Sequence, residues 1–376
     1  MSDILLYLKN QRPHMETLLR KWVNQDSPTY DKHAVDAMGR LIAQEFVEAG
    51  AALEATYPQS EWGDHFKVSF GQGDRQILIL CHFDTVWPLG EAGRRPFAIK
   101  NGQALGPGVH DMKGGMVIGL FALEAIRHLG LKPNYKLGFL FTSDEEVGSP
   151  SSRSLIEAEG QESSFCFVLE GSHNQSTLTT ARKGVGRFRV EVTGVSAHAG
   201  VEPHLGVSAI EELAHQVKKL HAMTDYERGI TVNVGLISGG ERSNIVAPHA
   251  TAEVDLRVAT KADGETLTQR ILSLRPELPG SQLHVSGGIN RGPFEETPAG
   301  MRLYDKAAVI AQTLGFAVKE YSSGGGSDGN LVAALGTPTL DGMGSLGGGA
   351  HALTEYTVLD ALPLRAALLA ELIMQV

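Results

Sequence analysis

Cysteine is nearly absent from this chain: 376 residues hold two, Cys81 and Cys166, each inside an apolar run. That excludes a disulfide framework and predicts two buried, reduced thiols in a cytosolic protein. Basic charge is also in deficit, with 33 Lys and Arg against 43 Asp and Glu, for a formal net charge of −10. No basic stripe is available to offset phosphate repulsion, which argues against nucleic acid or an anionic membrane as the partner. Long apolar runs are missing too, since none approaches the ~20 residues a membrane helix needs. The opening MSDILLYLKNQRPH has a short apolar patch broken by Lys9 and Arg12, with no basic n-region or long h-region before it. It is not a signal peptide, and the expected location is cytoplasmic. The Asn174-Gln175-Ser176 sequon then means little.

What is present is an ordinary globular composition, 42% hydrophobic and 20% charged, over a length that favours two domains. Two amphipathic helices open the chain, the first on Met15, Leu18, Leu19, Trp22 and Val23, the second on Val35, Met38, Leu41, Ile42 and Phe46. From about residue 65 to 180, strands alternate with helical stretches, the pattern of an α/β domain with a mostly parallel sheet covered by helices on both faces. Near Lys183 the style changes to strictly alternating strands around two helices, a ferredoxin-like βαββαβ order. The expected division is a larger domain from residues 1–182 and 292–376, with an inserted domain at 183–291. Its two chain crossings near 182 and 291 suggest a hinge.

Four apolar strand-like runs end in ligand-type side chains. They are QILILCHFD with His82 and Asp84, KLGFLFTSDEE with the acids 144–146, SSFCFVLE with Glu170, and TPTLDGMGSLGGGAH with His351. A fifth site, GPGVHDMKGG, sets Asp111 just ahead of a predicted helix, and lacks the ending of a phosphate loop. The glycines of GGGSDGN and SLGGGAH suggest tight loops approaching a site. Taken singly, each residue has a plainer reading as a surface turn, a solvated loop or an exposed strand end. Together, at the C-terminal ends of successive strands where open α/β sheets bind ligands, they point to metal. His82 and Asp84 share a face of extended chain, so one can bind an ion while the other orients it. Two neutral imidazoles with Asp111, Glu146 and Glu170 supply three negative charges. One divalent ion leaves a negative pocket; two leave a small surplus that a hydroxide cancels. Asp111 could bridge two ions, and the N/O donor set favours two Zn²⁺, with Mn²⁺ or Co²⁺ also possible.

The chain resembles the co-catalytic zinc metallopeptidases and amidohydrolases typified by glutamate carboxypeptidase, acetylornithine deacetylase and succinyl-diaminopimelate desuccinylase. The motifs are HFDTV (82–86), GPGVHDMKGG, TSDEEVGS (142–149), VLEG (168–171), SAHAG (196–200), SNIVAP (243–248), DLR (255–257), GGGSDGN and GAH, in family order along nearly the whole chain. The resemblance implies that His82 and Glu170 hold one zinc, Glu146 and His351 the other, and that Asp111 bridges them. It implies Asp84 as the acid orienting His82 and Glu145 as the general base acting on a metal-bridging water. It also implies a cis Asp111–Met112 peptide. The inserted domain becomes a lid and dimerisation domain whose His198 stabilises the oxyanion, often from the partner subunit of a homodimer. Asn244, Arg257 and Arg291 resemble substrate-contacting positions. Arg291 is the choice for a terminal carboxylate, while Arg257 either contacts substrate or pairs with Asp255. His110, His173 and His204 lie near motifs without a role.

The implied activity is cleavage of the amide bond next to a free-carboxylate amino acid, in a small peptide or N-acyl conjugate. The alternative is an N-acyl amino acid deacylase of biosynthesis or salvage; a non-catalytic metal-binding relative is a third reading. HFDTVWP and GGGSDGN look closest to the glutamate carboxypeptidase branch. In one departure, glutamate-releasing members carry a lysine after the position of Glu170, whereas GSHNQSTLTTARKG offers none before Lys183. Glutamate specificity does not transfer with the motifs.

Overall fold

The computed structural model describes residues 2–172 and 176–376; His173, Asn174 and Gln175 lie outside the described residues. The chain divides into two compact units. One comprises Met1–Ala181, Glu296–Ser322 and Ser327–Val376, the other Arg182–Glu295 with Ser323–Gly326.

The first unit opens with the two expected helices, Asp3–Val23 and Lys32–Glu48. Ser2 and Asp31 cap them by accepting the N–H groups of Leu5 and Ala34, donors that the first helical turn leaves unsatisfied. The central sheet runs in the order Ala52–Tyr57, His65–Phe70, Lys136–Thr142, Gln76–His82, Ser163–Val168, Thr339–Leu340. The first two pairings are antiparallel and the remaining three parallel. Every residue of Gln76–His82 is buried, because helices cover both faces. Ile77, Ile79 and Cys81 join the larger core, with Phe46, Phe139, Phe141 and most of the helices Gly114–His128 and Leu362–Gln375. Leu78 and Leu80 point the other way, to Ile156, Leu331 and Val332. This is why the strand reads as an unbroken apolar run. Cys81 and Cys166 are buried and unbridged. No helix among the described residues is long and apolar enough to cross a membrane.

Register positions the chemistry. His82 pairs with Thr142 and Leu80 with Val168, so the three parallel strands end level. His82 and Glu170 each stand two residues beyond that Leu80–Val168 pair, and the acidic loop follows Thr142. A small sheet, ordered Gly347–Gly348, Tyr356–Val358, Gln103–Leu105, Ala98–Lys100, pairs Tyr356 with Leu105. It sets the loop after His351 beside the one leading to Asp111.

The second unit is a four-stranded antiparallel sheet ordered Thr231–Gly239, His249–Val258, Gly184–Thr193, Gln282–Arg291. Helices Ala209–His221 and Lys261–Leu272 complete the βαββαβ order. Phe188, Val190 and Val192 are buried beneath those helices, as the alternation predicts. The boundary differs from the expected 183–291: the unit runs Arg182–Glu295 and also takes Ser323–Gly326, so the chain crosses four times, not two. Two hydrogen bonds account for the added segment: Lys183 N–H donates to the Ser323 carbonyl at 2.9 Å, and the Arg182 guanidinium donates to that of Gly325 at 3.3 Å.

At Gly115 the helix meets the end of the Ser163–Val168 strand so closely that a Cβ would lie 1.9 Å from the Leu169 carbonyl oxygen. Backbone cannot yield there as a side chain would. Gly115→Ala is expected to lower the unfolding free energy by about 1–3 kcal/mol. Urea titration reads this as a lower midpoint at constant slope; an unchanged midpoint would show that the helix can retreat freely.

Candidate metal centre

The strand ends bring His82, Glu145, Glu146 and Glu170 together, and two loops add Asp111 and His351. Asp111 lies in an irregular turn, Val109–Lys113, ahead of the helix Gly114–His128, and its peptide to Met112 is cis. His351 adopts a left-handed backbone, φ 62°, a conformation rare outside glycine and concentrated at functional sites.

Asp111 divides its carboxylate between two rings. Oδ1 lies 3.0 Å from His82 Nε2 and Oδ2 lies 3.2 Å from His351 Nε2. A further acid meets the same nitrogen of each ring: Glu170 Oε1 is 3.4 Å from His82 Nε2, and Glu146 Oε2 is 3.0 Å from His351 Nε2. Potential ligand atoms of His82, Asp111 and Glu146 fall within 4.8 Å of one another, as do those of His82, Glu145 and Glu170. Geometry thus places Glu145 among the donors as well.

Asp84 is fully buried and does two things. Its carbonyl and carboxylate oxygens lie 3.1 and 3.3 Å from His82 Nδ1. A proton donated there leaves the Nε2 lone pair facing Asp111 and Glu170. The same carboxylate accepts the backbone N–H groups of Glu145 and Glu146 at 3.3 and 3.2 Å, and the Thr29 hydroxyl at 2.9 Å. It therefore ties the histidine to the acidic loop.

That loop is held by residues whose roles had no sequence signal. Asp144, one of three consecutive acids, turns away from the cluster and accepts from the backbone and hydroxyl groups of Ser151 and Ser152. Asp328, from GGGSDGN, bonds the Thr142 hydroxyl at 3.1 Å and that of Ser149, bridging the loop's two ends. His65 accepts from Ser143 N–H at 3.2 Å and faces the Ser151 hydroxyl at 3.0 Å. A sequence cannot announce the partners of Asp328 and His65, because they come from distant segments.

Charge in the cluster is unbalanced. Burial pushes the Glu146 carboxyl up to about 8, with the Asp111 charge adding to it. The same two causes push Glu170 up to about 7. Hydrogen bonds to Asp111 and Glu146 lift His351 to about 11 against the cost of its burial. At His82 burial favours the neutral ring, yet the bonds to Asp111, Asp84 and Glu170 prevail and raise it well above normal. For Asp111 the two imidazoles outweigh burial and hold it far below the usual carboxylate range. The site demands positive charge. Glu146 Oε1 is buried without a hydrogen-bond partner, a vacant oxygen at the edge of the cluster. Carboxylate and imidazole donors around such a point fit divalent metal.

The second unit holds the other candidates. His198 and Ile245 form a β-bridge, and Ala199 N–H donates to the Asn244 carbonyl at 3.0 Å, so His198 and Asn244 lie on adjoining loops. His198 Nδ1 accepts the N–H groups of Gly200 and Val201, both at 3.1 Å, which in the neutral ring leaves the proton on Nε2. Arg257 grips Asp255 with two bonds, 2.8 and 3.0 Å, the pairing alternative. Arg291 is buried at the end of its strand, opposite Val185. Of the remaining histidines, His110 is buried with Nδ1 3.2 Å from the Ser345 hydroxyl, and His204 is exposed.

A profile of peptidase family M20/M25/M40 matches residues 78–375. The chain belongs to this family. It is 30% identical over 375 residues to carboxypeptidase G2 of Pseudomonas sp., covering 97% of this chain and 90% of that one. It is 28% identical over 338 residues to succinyl-diaminopimelate desuccinylase of Pseudomonas fluorescens, covering 84% and 86%. Among solved structures, aminopeptidase PepT of Bacillus cereus superposes with a TM-score of 0.79 at 20% identity, covering 97% and 98%. As a member of M20/M25/M40 the chain is a metal-dependent hydrolase with a candidate dinuclear site.

The raised groups make the metal-free fold pH-sensitive in a definite direction. Without metal, the folded chain holds protons on Glu146, Glu170 and His351 that the unfolded chain, at ordinary values of 4.5 and 6.5, releases earlier. Stability of the metal-free protein therefore falls as pH rises, from about 4.5, where the unfolded carboxyls titrate, to about 11, where folded His351 does. Scanning calorimetry of chelator-treated protein is expected to show a declining Tm, with the gap to zinc-loaded protein widening. A flat Tm across that range would contradict the shared protons.

Proposed function

We propose that the chain hydrolyses the amide bond beside an amino acid with a free carboxylate, releasing it from a small peptide or an N-acyl conjugate. The observation that supports this most directly is the divided Asp111 carboxylate, one oxygen on His82 and the other on His351. His82 with Glu170 would hold one zinc ion and Glu146 with His351 the second, Asp111 serving both; Mn²⁺ or Co²⁺ suits the same donors. Bound there, the ions would supply Lewis-acid polarisation of the scissile carbonyl and acidify water.

The chain's own groups do the rest. Glu145, nearly buried beside His82 and Glu170, takes a proton from the attacking water and delivers it to the departing amine nitrogen. Asp84 keeps its backbone and the His82 ring in step. His198, with Nδ1 occupied by two amides, presents Nε2–H as a donor for the oxyanion. Arg291 and Asn244 are assigned to the substrate, Arg291 to its carboxylate, which arginine binds bidentately. Arg257, engaged by Asp255, acts if at all by exchanging that partner. The inserted unit serves as lid and as the interface of a homodimer, through which His198 reaches the partner's centre.

The carboxypeptidase relative supports release of a C-terminal residue, and the desuccinylases favour the second reading, removal of an acyl group from an amino acid. A hydrolysis panel of dipeptides and N-acyl amino acids with Zn²⁺, Mn²⁺ and Co²⁺, each beside its carboxamide analogue, separates the two. Loss of turnover on replacing the carboxylate is expected; equal cleavage of the analogues would refute the free-carboxylate requirement.

On the best substrate, Glu145→Gln is expected to lower kcat about 10²–10⁴-fold with both ions retained, and His198→Ala about 10²–10³-fold. Near-normal kcat in either variant would remove that residue from its role. Mixing the two inactive variants is expected to restore some activity, and no recovery would place the site within one subunit.

A further inference from the structure

Glu355 has no place in the chemistry above, yet its carboxylate is completely buried beside the Asp111 turn without a cation in hydrogen-bond contact. Four N–H groups converge on it. Oε1 accepts from His110 N–H at 2.9 Å and Asp111 N–H at 3.1 Å. Oε2 accepts from Gly108 N–H at 2.9 Å and the Trp87 indole at 3.1 Å. An ionised carboxylate offers about four lone-pair directions, and all four are taken. Glu355 is therefore no ligand for an ion; its capacity is spent on the backbone that carries one.

Two independent features fix it in place. The pairing of Tyr356 with Leu105 sets Glu355 opposite the start of the Gly106–Asp111 segment, and the Thr357 hydroxyl donates to the Val109 carbonyl at 2.9 Å. From the other side, the Arg95 guanidinium stacks over the Trp87 ring at 4.1 Å and donates to the Leu353 carbonyl at 3.2 Å. Glu355 also stands four residues after His351. One short loop thus supplies His351 and the acceptor that holds Asp111, the two partners that meet at 3.2 Å.

We propose that Glu355 is the positioning residue of the metal centre: it sets the Asp111 carboxylate between His82 and His351 by gathering the amides of Gly108, His110 and Asp111. This rests on the metal reading above. Glutamine at 355 would turn an NH₂ group toward one pair of N–H donors, breaking two of the four bonds and releasing one side of the turn. Metal affinity would fall through misplacement of Asp111, although no ligand atom has been removed.

The test is zinc affinity of the full-length protein by competition with a chromogenic chelator, with the folded fraction followed by circular dichroism. Glu355→Gln is expected to bind zinc about 10–100-fold more weakly while folded. Affinity within about threefold of the unaltered chain would overturn the proposal, since loss of such a supporting contact costs more. Should that variant fail to accumulate as folded protein, Trp87→Phe decides. It removes one donor and keeps the carboxylate, so weaker binding supports the role and unchanged binding overturns it. An unaltered chain that binds no zinc refutes the metal reading itself, an outcome separate from failure of the Glu355 role alone.

Discussion

Asp111 is the point on which the structure turns. A half-buried carboxylate held between two imidazoles, each of whose Nε2 atoms also faces a further acid, is a concentration of like charge that no apolar core tolerates unless cations balance it. Protons on His351, Glu146 and Glu170 can stand in, which is why those groups are all raised. Divalent ions answer the same demand with fixed geometry. The level strand ends, the left-handed His351 and the turn that carries Asp111 converge on this one volume.

Around it, four further carboxylates meet a common problem with a common solution. Asp84, Asp144, Asp328 and Glu355 are all buried, and each is satisfied mainly by N–H or O–H donors of the loops it restrains. Asp84 holds the backbone of Glu145 and Glu146, Asp144 and Asp328 hold the ends of that loop, and Glu355 holds the Asp111 turn. A carboxylate accepting several hydrogen bonds is rigid because every departure strands a donor in a low-dielectric interior. The proposed ligands would thus be fixed by acids that are not themselves donors to the ions. Such support is what a two-metal centre requires if its donors are to keep a productive spacing.

The inserted unit is built by different rules. Its sheet is covered on one face only, so its strands alternate, and its candidate groups sit on loops or at a strand end. His198 owes its fixed tautomer to the two amides that follow it, a local device independent of the metal centre. The Arg257–Asp255 pair shows the contrary case, in which a residue inside a familiar motif is already engaged by a neighbour two positions away.

The amino-acid sequence by itself determined the α/β architecture, the βαββαβ insertion and the ligand types at the strand ends. Apolar periodicity and the residue closing each strand are local properties, and so are the motifs that carry the five proposed donors. Only the tertiary structure decided which oxygen of Asp111 faces which ring, that Asp84 serves the acidic loop as well as His82, that Asp144 turns away from its neighbours, and that Glu355 and Asp328 act as clamps. These depend on strand register and on contacts between segments as far apart as 186 and 247 positions. A hydrogen bond has direction and a reach near 3 Å, and a linear pattern of residue types carries neither.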